Sequence, residues 1–304
     1  MTVQARPDRL TGSGYQFLKK HIGMILLLPA LLIHLSVVAL PALSTVVMSL
    51  YDWNGIGAAK YIGFGNFLEI FTQDEIFWRA MKNNTIWMLL FLTVPLIIGM
   101  LVAVMVTRVK HLQMVYRTVI FIPYVIASIT AGKIWAALLN PYFGIPTAFK
   151  MLGWNGLASI SWLGNKNIVL YTVAFVDNWH WWGFVMVLFV AALHQVDPDL
   201  YECIRIEGAN KLQEFWHVTV PGIRPTLAFI VSLSLMWSFL TFDYVWAMTQ
   251  GGPGQATEIL STWIYRNAFN YYRSGYANAL CVVQSGIILI IFSISRIFVK
   301  KAEE

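Results

Sequence analysis

Between two long apolar runs the chain carries a polar segment, Tyr201 to Pro225, that reads YECIRIEGANKLQEFWHVTVPGIRP. Glu202, Arg205, Glu207, Lys211 and Glu214 have no place in hydrocarbon, so this segment must meet water or a soluble partner. Its layout is a helix former, a Gly208-Ala209 break, a second amphipathic stretch, and two prolines, Pro221 and Pro225. That spacing predicts a helix–turn–helix with Gly208 at the turn, because glycine accepts a positive φ. Other ionisable groups fall inside apolar runs. Asp177 opens the run Asp-Asn-Trp-His-Trp-Trp, which contains Trp181; Asp243 and Tyr244 sit in Phe-Asp-Tyr-Val-Trp, which ends at Trp246; Lys133 stands alone. A charge at membrane depth costs about 2.5–3.5 kcal/mol on insertion scales, so such groups face a cavity or a partner. Two readings stay open for them. They are interhelical contacts, for example Lys133 paired with an aspartate, or they line a polar route for a neutral, hydroxyl-rich solute.

Other chemistry finds no support. The chain has no GxxxxGK[ST] phosphate loop, no HExxH and no GxSxG elbow, and its six histidines are scattered. Cys203 and Cys281 have no metal-ligand spacing around them and read as small apolar fillers. No metal site, no catalytic residue and no bound cofactor are expected. The net charge of +6 forms no continuous basic surface, which excludes nucleic acid and points to anionic lipid.

The elements that must hold these groups are membrane helices. With 58% hydrophobic and 12% charged residues, the composition lies outside the soluble globular range. Six runs reach the roughly 20 residues that a span needs: Ile22–Leu50, Thr85–Val106, Val115–Leu139, Ile168–Leu193, Thr226–Met248 and Ala277–Val299. The first is too long for a signal-peptide core and is read as a retained span. The fold class is therefore an all-α polytopic membrane protein with six transmembrane helices. Arg108, Lys110 and Arg117 cluster at a short connection, and Lys300 and Lys301 follow the last run. This bias places both termini and the polar segment in the cytoplasm. Residues 1–21 read as a tail, 22–50 as the first span and 51–76 as an outer loop. A core follows over 77–299, with its polar segment at 194–225, and a short tail over 300–304. An interfacial amphipathic helix is expected over Phe67–Met81. Trp154, Trp162, Trp179, Trp181 and Trp182 are expected near the outer interface. Pro29, Pro95 and Pro123 are expected to kink their spans.

The polar segment resembles the EAA loop of ABC-importer permeases, which docks into the ATPase subunit. Its Glu202-Cys203-Ile204 stands where that family usually has Glu-Ala-Ala, and its Glu207-Gly208-Ala209 where it has Asp-Gly-Ala. Further on, Met248 to Gly254 reads Met-Thr-Gln-Gly-Gly-Pro-Gly, similar to the signature that follows the penultimate span of the carbohydrate branch. Phe121-Ile-Pro-Tyr and Asn84-Thr85 add to the likeness, which covers about Phe77 to Val299. The resemblance implies a type I importer transmembrane domain in a bacterial or archaeal inner membrane. It implies ATPase coupling through Glu202, Glu207, Gly208, Ala209 and Pro221, and a family signature at Gly251, Gly252 and Pro253. Implied partners are a second permease, two ATPase subunits that hold ATP and Mg, an extracytoplasmic solute-binding protein and a sugar-like solute. The short C-terminal tail is similar to that of the first of two permeases in such systems. The competing reading is a secondary transporter or channel that works alone, which would need a discontinuous helix pair or a charged ion path.

Overall fold

A computed structural model describes residues 13–109 and 111–303. A long helix opens the chain: α1 (Ser13–His34) passes through a π-helical turn at Leu35–Ala39 into α2 (Leu40–Met48). A two-stranded ribbon, β1 (Tyr51–Asp52) against β2 (Lys60–Tyr61), follows with Tyr51 opposite Tyr61. Next come α3 (Gly65–Thr72) and α4 (Glu75–Arg108), then α5 (Gln113–Val125) and α6 (Ser128–Leu138). The short α7 (Ile145–Met151) and α8 (Asn155–Ala158) lead to α9 (Val169–Leu193), the most buried span. The polar segment folds as α10 (Pro198–Ile206), α11 (Lys211–Glu214), a π turn at Phe215–Thr219 and α12 (Val220–Gly222). The chain closes with α13 (Arg224–Leu240), α14 (Asp243–Met248), α15 (Leu260–Tyr265), a π turn at Arg266–Asn270, and α16 (Ser274–Glu303).

Among the described residues four stretches are long and apolar enough to cross a membrane unbroken, Ile22–Met48, Glu75–Arg108, Val169–Leu193 and Ser274–Arg296; counting two bent pairs as spans, α5 with α6 and Lys211–Gly222 with α13, gives six. One bent pair corrects the continuous third span expected over Val115–Leu139: α5 and α6 meet at 93°. The break lies three residues beyond Pro123, at Ile126 and Ala127, whose ψ values of 132° and 133° are extended. The expected fifth span is also split. Helix α13 ends at Leu240, and Thr241 (ψ 136°) and Phe242 separate it from α14. Pro29 and Pro95, by contrast, sit inside unbroken helices. The discontinuous helices that the sequence did not disclose are present in the fold.

Interior packing begins with α4 against α9, through Trp87, Phe91, Val185, Met186 and Phe189. Helix α5 packs on α9, α6 on α14, and α13 against both α16 and α4. A second apolar cluster, with Ile70, Phe77, Phe239, Leu260, Trp263 and Leu280, gathers α3, α4, α13, α15 and α16 at one end. There the expected helix over Phe67–Met81 is replaced by two elements, and α4 starts at Glu75. Asp74 sets that start. Its Oδ1 accepts from the Ile76 and Phe77 amides, both at 2.9 Å, and caps α4. Its Oδ2 accepts from Trp263 Nε1 at 2.7 Å and from the Tyr276 hydroxyl, so one carboxylate ties α4, α15 and α16 together. At 34 residues α4 is about 51 Å long, more than a bilayer core needs.

The tail expected over residues 1–21 lies outside the described residues up to residue 12, and the helical backbone already begins at Ser13. At the other end α16 continues through Lys300 to Glu303.

Asp74→Ala removes a cap and two charge-assisted hydrogen bonds. It is expected to cost about 3 kcal/mol, read as a lowered melting temperature of the detergent-purified protein. Unchanged melting would show that α4 and α16 are held by packing alone.

Candidate functional site

The two helix breaks meet beside α9 and open a cavity of about 470 Å³. Ser128 at the start of α6 donates its hydroxyl hydrogen bond to Asp243 at the start of α14. The N-terminal ends of two half-helices therefore meet at an acidic side chain, which their dipoles favour. From α9, Asp177 presents its Oδ2 to Trp87 Nε1 at 3.1 Å and to Thr241 Oγ1 at 3.3 Å. Its Oδ1 makes no hydrogen bond among the described residues. His180 Nε2 lies 2.9 Å from the Ile126 carbonyl oxygen, a group that the break leaves without its helical partner. The aromatic wall is built from Tyr124, Trp181, Trp237 and Phe91; Trp181 lies 5.5 Å from Phe91, 5.9 Å from Tyr124 and 6.0 Å from Trp237, between ring centroids. Trp181 Nε1 and the Tyr244 hydroxyl are buried in this wall with no hydrogen-bond partner among the described residues. The cavity thus offers free carboxylate acceptors and aromatic faces over a wall that buries two donors, with no Lys or Arg in its lining.

Of the residues singled out from the sequence, Asp177, Trp181, Asp243 and Tyr244 come together here. Trp181 is a cavity wall residue, 6% exposed, not part of an interfacial belt. Lys133 and Trp246 do not join them. Lys133 is exposed on α6 and pairs with neither aspartate among the described residues. Trp246 is turned toward Phe242 and Tyr265, at 5.5 and 4.5 Å between centroids, with the Arg266 guanidinium 5.9 Å away. Sequence reasoning missed Ser128, His180, Trp237 and Thr241. Pro123 was a signal for the first break; nothing local marked the second.

The second break is stitched by side-chain amides. Asn84 Nδ2 donates to the Ser238 carbonyl at 3.2 Å and Gln284 Nε2 to the Phe239 carbonyl at 2.6 Å, so α4 and α16 satisfy the end of α13. Asn84 Oδ1 in turn accepts from the Leu260 amide at 2.8 Å. The Gly251-Gly252-Pro253 loop is pinned nearby. Glu258 is fully buried against Arg266 at 3.1 Å, and Arg266 also donates to the Gln250 carbonyl. Gly251 has φ 82°, and a Cβ there would lie 2.1 Å from the Glu258 carboxylate, so only glycine fits.

At the opposite end of α9 and α13 hangs the polar hairpin. Gly208 makes its turn at φ 85°, as the spacing predicted. Asp197 caps α10, and Asn210 with Gln213 forms a capping box on α11. Pro225 does not stop a helix but lies in the first turn of α13. The two arms are clamped by Arg205, whose Nε and Nη2 donate to Glu214 at 2.8 and 3.0 Å. The outer face is exposed and mixed: Ile206, Leu212 and Trp216 stand beside Glu202 and Glu207. Gly208 and Pro221 are exposed as well, and Ala209 is half-buried. Cys203, expected as a filler, is exposed on α10, whereas Cys281 is half-buried.

The model of the family described as binding-protein-dependent transport system inner membrane component matches residues 95–304. The probable ABC transporter permease YurN of Bacillus subtilis strain 168 is 31% identical over 290 residues, covering 94% of this chain and 98% of that protein. The probable starch degradation products transport system permease AmyD of Thermoanaerobacterium thermosulfurigenes is 29% identical, with 90% and 92% covered. Among solved structures, a bacterial alginate ABC transporter, in complex with an alginate pentasaccharide-bound periplasmic protein, superposes with a TM-score of 0.80 at 24% identity, over 95% of this chain and 96% of that one. That likeness concerns the fold.

The hydrogen bond from Arg205 holds the Glu214 carboxyl below the usual carboxylate range. A depressed folded value means the clamp contributes fully above the usual range and is lost as pH falls through the depressed value. Glu214→Gln is expected to speed amide exchange over residues 210–215 at pH 7, with wild type matching it only in acid. Equal exchange at pH 7 would show that the clamp does not hold the hairpin.

Proposed function

This chain belongs to the family of binding-protein-dependent transport system inner membrane components, and from that premise we propose that it forms part of the route for a neutral saccharide or polyol. It is a permease subunit of an ABC importer and a multi-pass inner-membrane protein. One observation carries the proposal. The hairpin with exposed Ile206, Leu212 and Trp216 is joined directly to α9 and α13, the helices that bring Asp177, Trp181 and Trp237 to the cavity. A displacement of the hairpin is therefore carried toward the cavity by α9 and, past a 73° bend, by α13.

The hairpin is the docking element for an ATPase subunit. An exposed patch of large apolar side chains rimmed by carboxylates is the anatomy of a protein contact. ATP and Mg belong to that partner, a second permease completes the transmembrane route, and this chain itself catalyses nothing. A solute-binding protein delivers the solute from outside, in keeping with the family description and with the alginate transporter solved in complex with its periplasmic protein. The termini and the hairpin face the cytoplasm, which the Lys and Arg placement supports. In the cavity, hydroxyl groups donate to the free oxygens of Asp177 and Asp243 and accept from Trp181 and Tyr244, while sugar C–H faces lie on the aromatic rings. The starch-product transport named for the AmyD relative supports a carbohydrate. Discontinuous helices are also what a transporter working alone would need, but such a protein has no use for the exposed hairpin. ATP binding drives the alternation only through the differential affinity of the partners for the two states.

Asp177→Asn, Asp243→Asn and Tyr244→Phe are expected to lower solute uptake by about tenfold or more, the scale of a lost hydrogen bond to a charged group, with assembly intact. Wild-type uptake in all three, at normal expression, removes the cavity from the route. Trp216→Asp should weaken ATPase association about thirtyfold, as loss of a buried anchor does. Gly208→Val should leave ATP hydrolysis and uptake uncoupled, because valine is closed to φ 85°. Wild-type coupling in both would remove the hairpin as lever.

Cys203 is a native reporter of orientation, because it is exposed on the hairpin. In a Cys281→Ser background, a membrane-impermeant thiol reagent should label it in inside-out vesicles stripped of ATPase and not in intact cells. Labelling from outside the cell would invert the orientation.

A further inference from the structure

A second cavity, of about 270 Å³, lies between the hairpin and the ends of α4 and α9, away from the solute cavity. Its lining is cationic. Arg108 closes α4, Arg205 projects from α10, and Lys211 opens α11. Glu214 is the one carboxylate of the lining, and both of its oxygens are engaged by Arg205. Arg108 and Lys211 form no ion pair among the described residues. The rest of the wall mixes apolar Val104, Leu193 and Phe215 with two threonines, Tyr201 and His194.

We propose that this cavity binds the phosphate-bearing headgroup of an anionic phospholipid. Three cations against one carboxylate leave a cleft with uncompensated positive charge, and a phosphodiester supplies oxygens that match a guanidinium fork. The cleft stands at the ends of two membrane spans, the depth at which headgroups lie. Helix α4 also carries a track for an acyl chain. Leu101, Met105 and Arg108 follow i, i+4, i+7 spacing on one face, and Leu101 and Met105 are 59% and 68% exposed. A chain lying along Leu101 and Met105 brings its headgroup to Arg108. Free phosphate would meet the same cations but would leave this apolar track unused.

The bound headgroup bridges α4, through Arg108, to the hairpin, through Arg205 and Lys211. Its occupancy restrains the segment that joins α9 to α13, so the lipid sets how stiffly the hairpin is coupled to the membrane helices. This site needs neither the identity of the solute nor the role of the first cavity.

The test uses the importer purified with all its subunits and reconstituted in nanodiscs of phosphatidylcholine with or without phosphatidylglycerol. Native mass spectrometry counts the lipid that remains on this chain. Retention of phosphatidylglycerol over phosphatidylcholine is expected, falling about fivefold for each of Arg108→Gln and Lys211→Gln. Arg224→Gln, an exposed cation outside the cleft, should leave retention unchanged. Added inorganic phosphate at millimolar concentration should not displace the lipid. The exposed positions of Arg108 and Lys211 make misfolding a small risk, and the thermal shift given by phosphatidylglycerol checks it: present in wild type, reduced in each single variant. Equal retention of the two lipids, retention unaffected by both variants, or loss equal to that of Arg224→Gln overturns the proposal. Displacement by phosphate alone would make this a free-phosphate site and overturn the lipid assignment. Cross-linking of Arg108→Cys to a partner subunit in place of lipid would also overturn it.

Discussion

A broken helix inside a bilayer leaves backbone carbonyls and amides that water cannot satisfy, and much of this molecule follows from that constraint. Helix α5 gives way at Ile126, and the freed carbonyl lies 2.9 Å from His180. Helix α13 ends at Leu240, and the carbonyls just before it are taken by Asn84 and Gln284. Each partner comes from a different span, so the breaks exist only when α4, α9 and α16 are in place. The cavity is the space that the two bends leave beside α9. Asp243, Ser128 and Thr241 face it because they sit at the bends, where side chains leave the regular helical surface.

Mechanical continuity is the second consequence. Helix α9 carries Asp177 and Trp181, and it runs on without a break toward the hairpin, whose last arm bends into α13. The hairpin is stiffened at both levels that matter, by Gly208 and the capping box within the turn and by the Arg205–Glu214 clamp between its arms. At the other end of the bundle, Asp74 and the buried Glu258–Arg266 pair hold α4, α15, α16 and the Gly251-Gly252-Pro253 loop together. A rigid frame at one end and a clamped hairpin at the other bracket the middle, where the two breaks lie. Packed cores respond to a push by switching arrangement, not by bending smoothly.

The middle of the bundle gathers polar side chains around the cavity. Buried polar groups in a folded protein are almost always paired, and Trp181 Nε1 and the Tyr244 hydroxyl are two of eight buried side-chain atoms without a partner among the described residues. They share one wall with two carboxylates and with aromatic rings, which is the combination that hydroxyl groups and sugar C–H faces both use. Both carboxylates also tie helices together, Asp177 through Trp87 and Thr241 and Asp243 through Ser128.

Apolar run lengths determined the number of possible spans, and the five charges between Glu202 and Glu214 marked the polar segment between two of them. The turn at Gly208 was legible for the same reason, since φ preference is a property of one residue. The intramembrane aspartates announced a polar interior but not its shape. Where the spans break was decided by tertiary structure, because caps such as His180, Asn84 and Gln284 are remote in sequence from the backbone they satisfy. The early start of α4 has the same origin: Asp74 is held by Trp263 and Tyr276, which lie about 200 residues further along the chain. Lys133 and Trp246 looked equivalent to their neighbours in composition, yet the bends at Ile126 and Thr241 turn them away from the cavity. Periodicity and polarity are local quantities and can be read along a chain. The pairing of a freed backbone group with a distant side chain is not local, and only the folded bundle settles it.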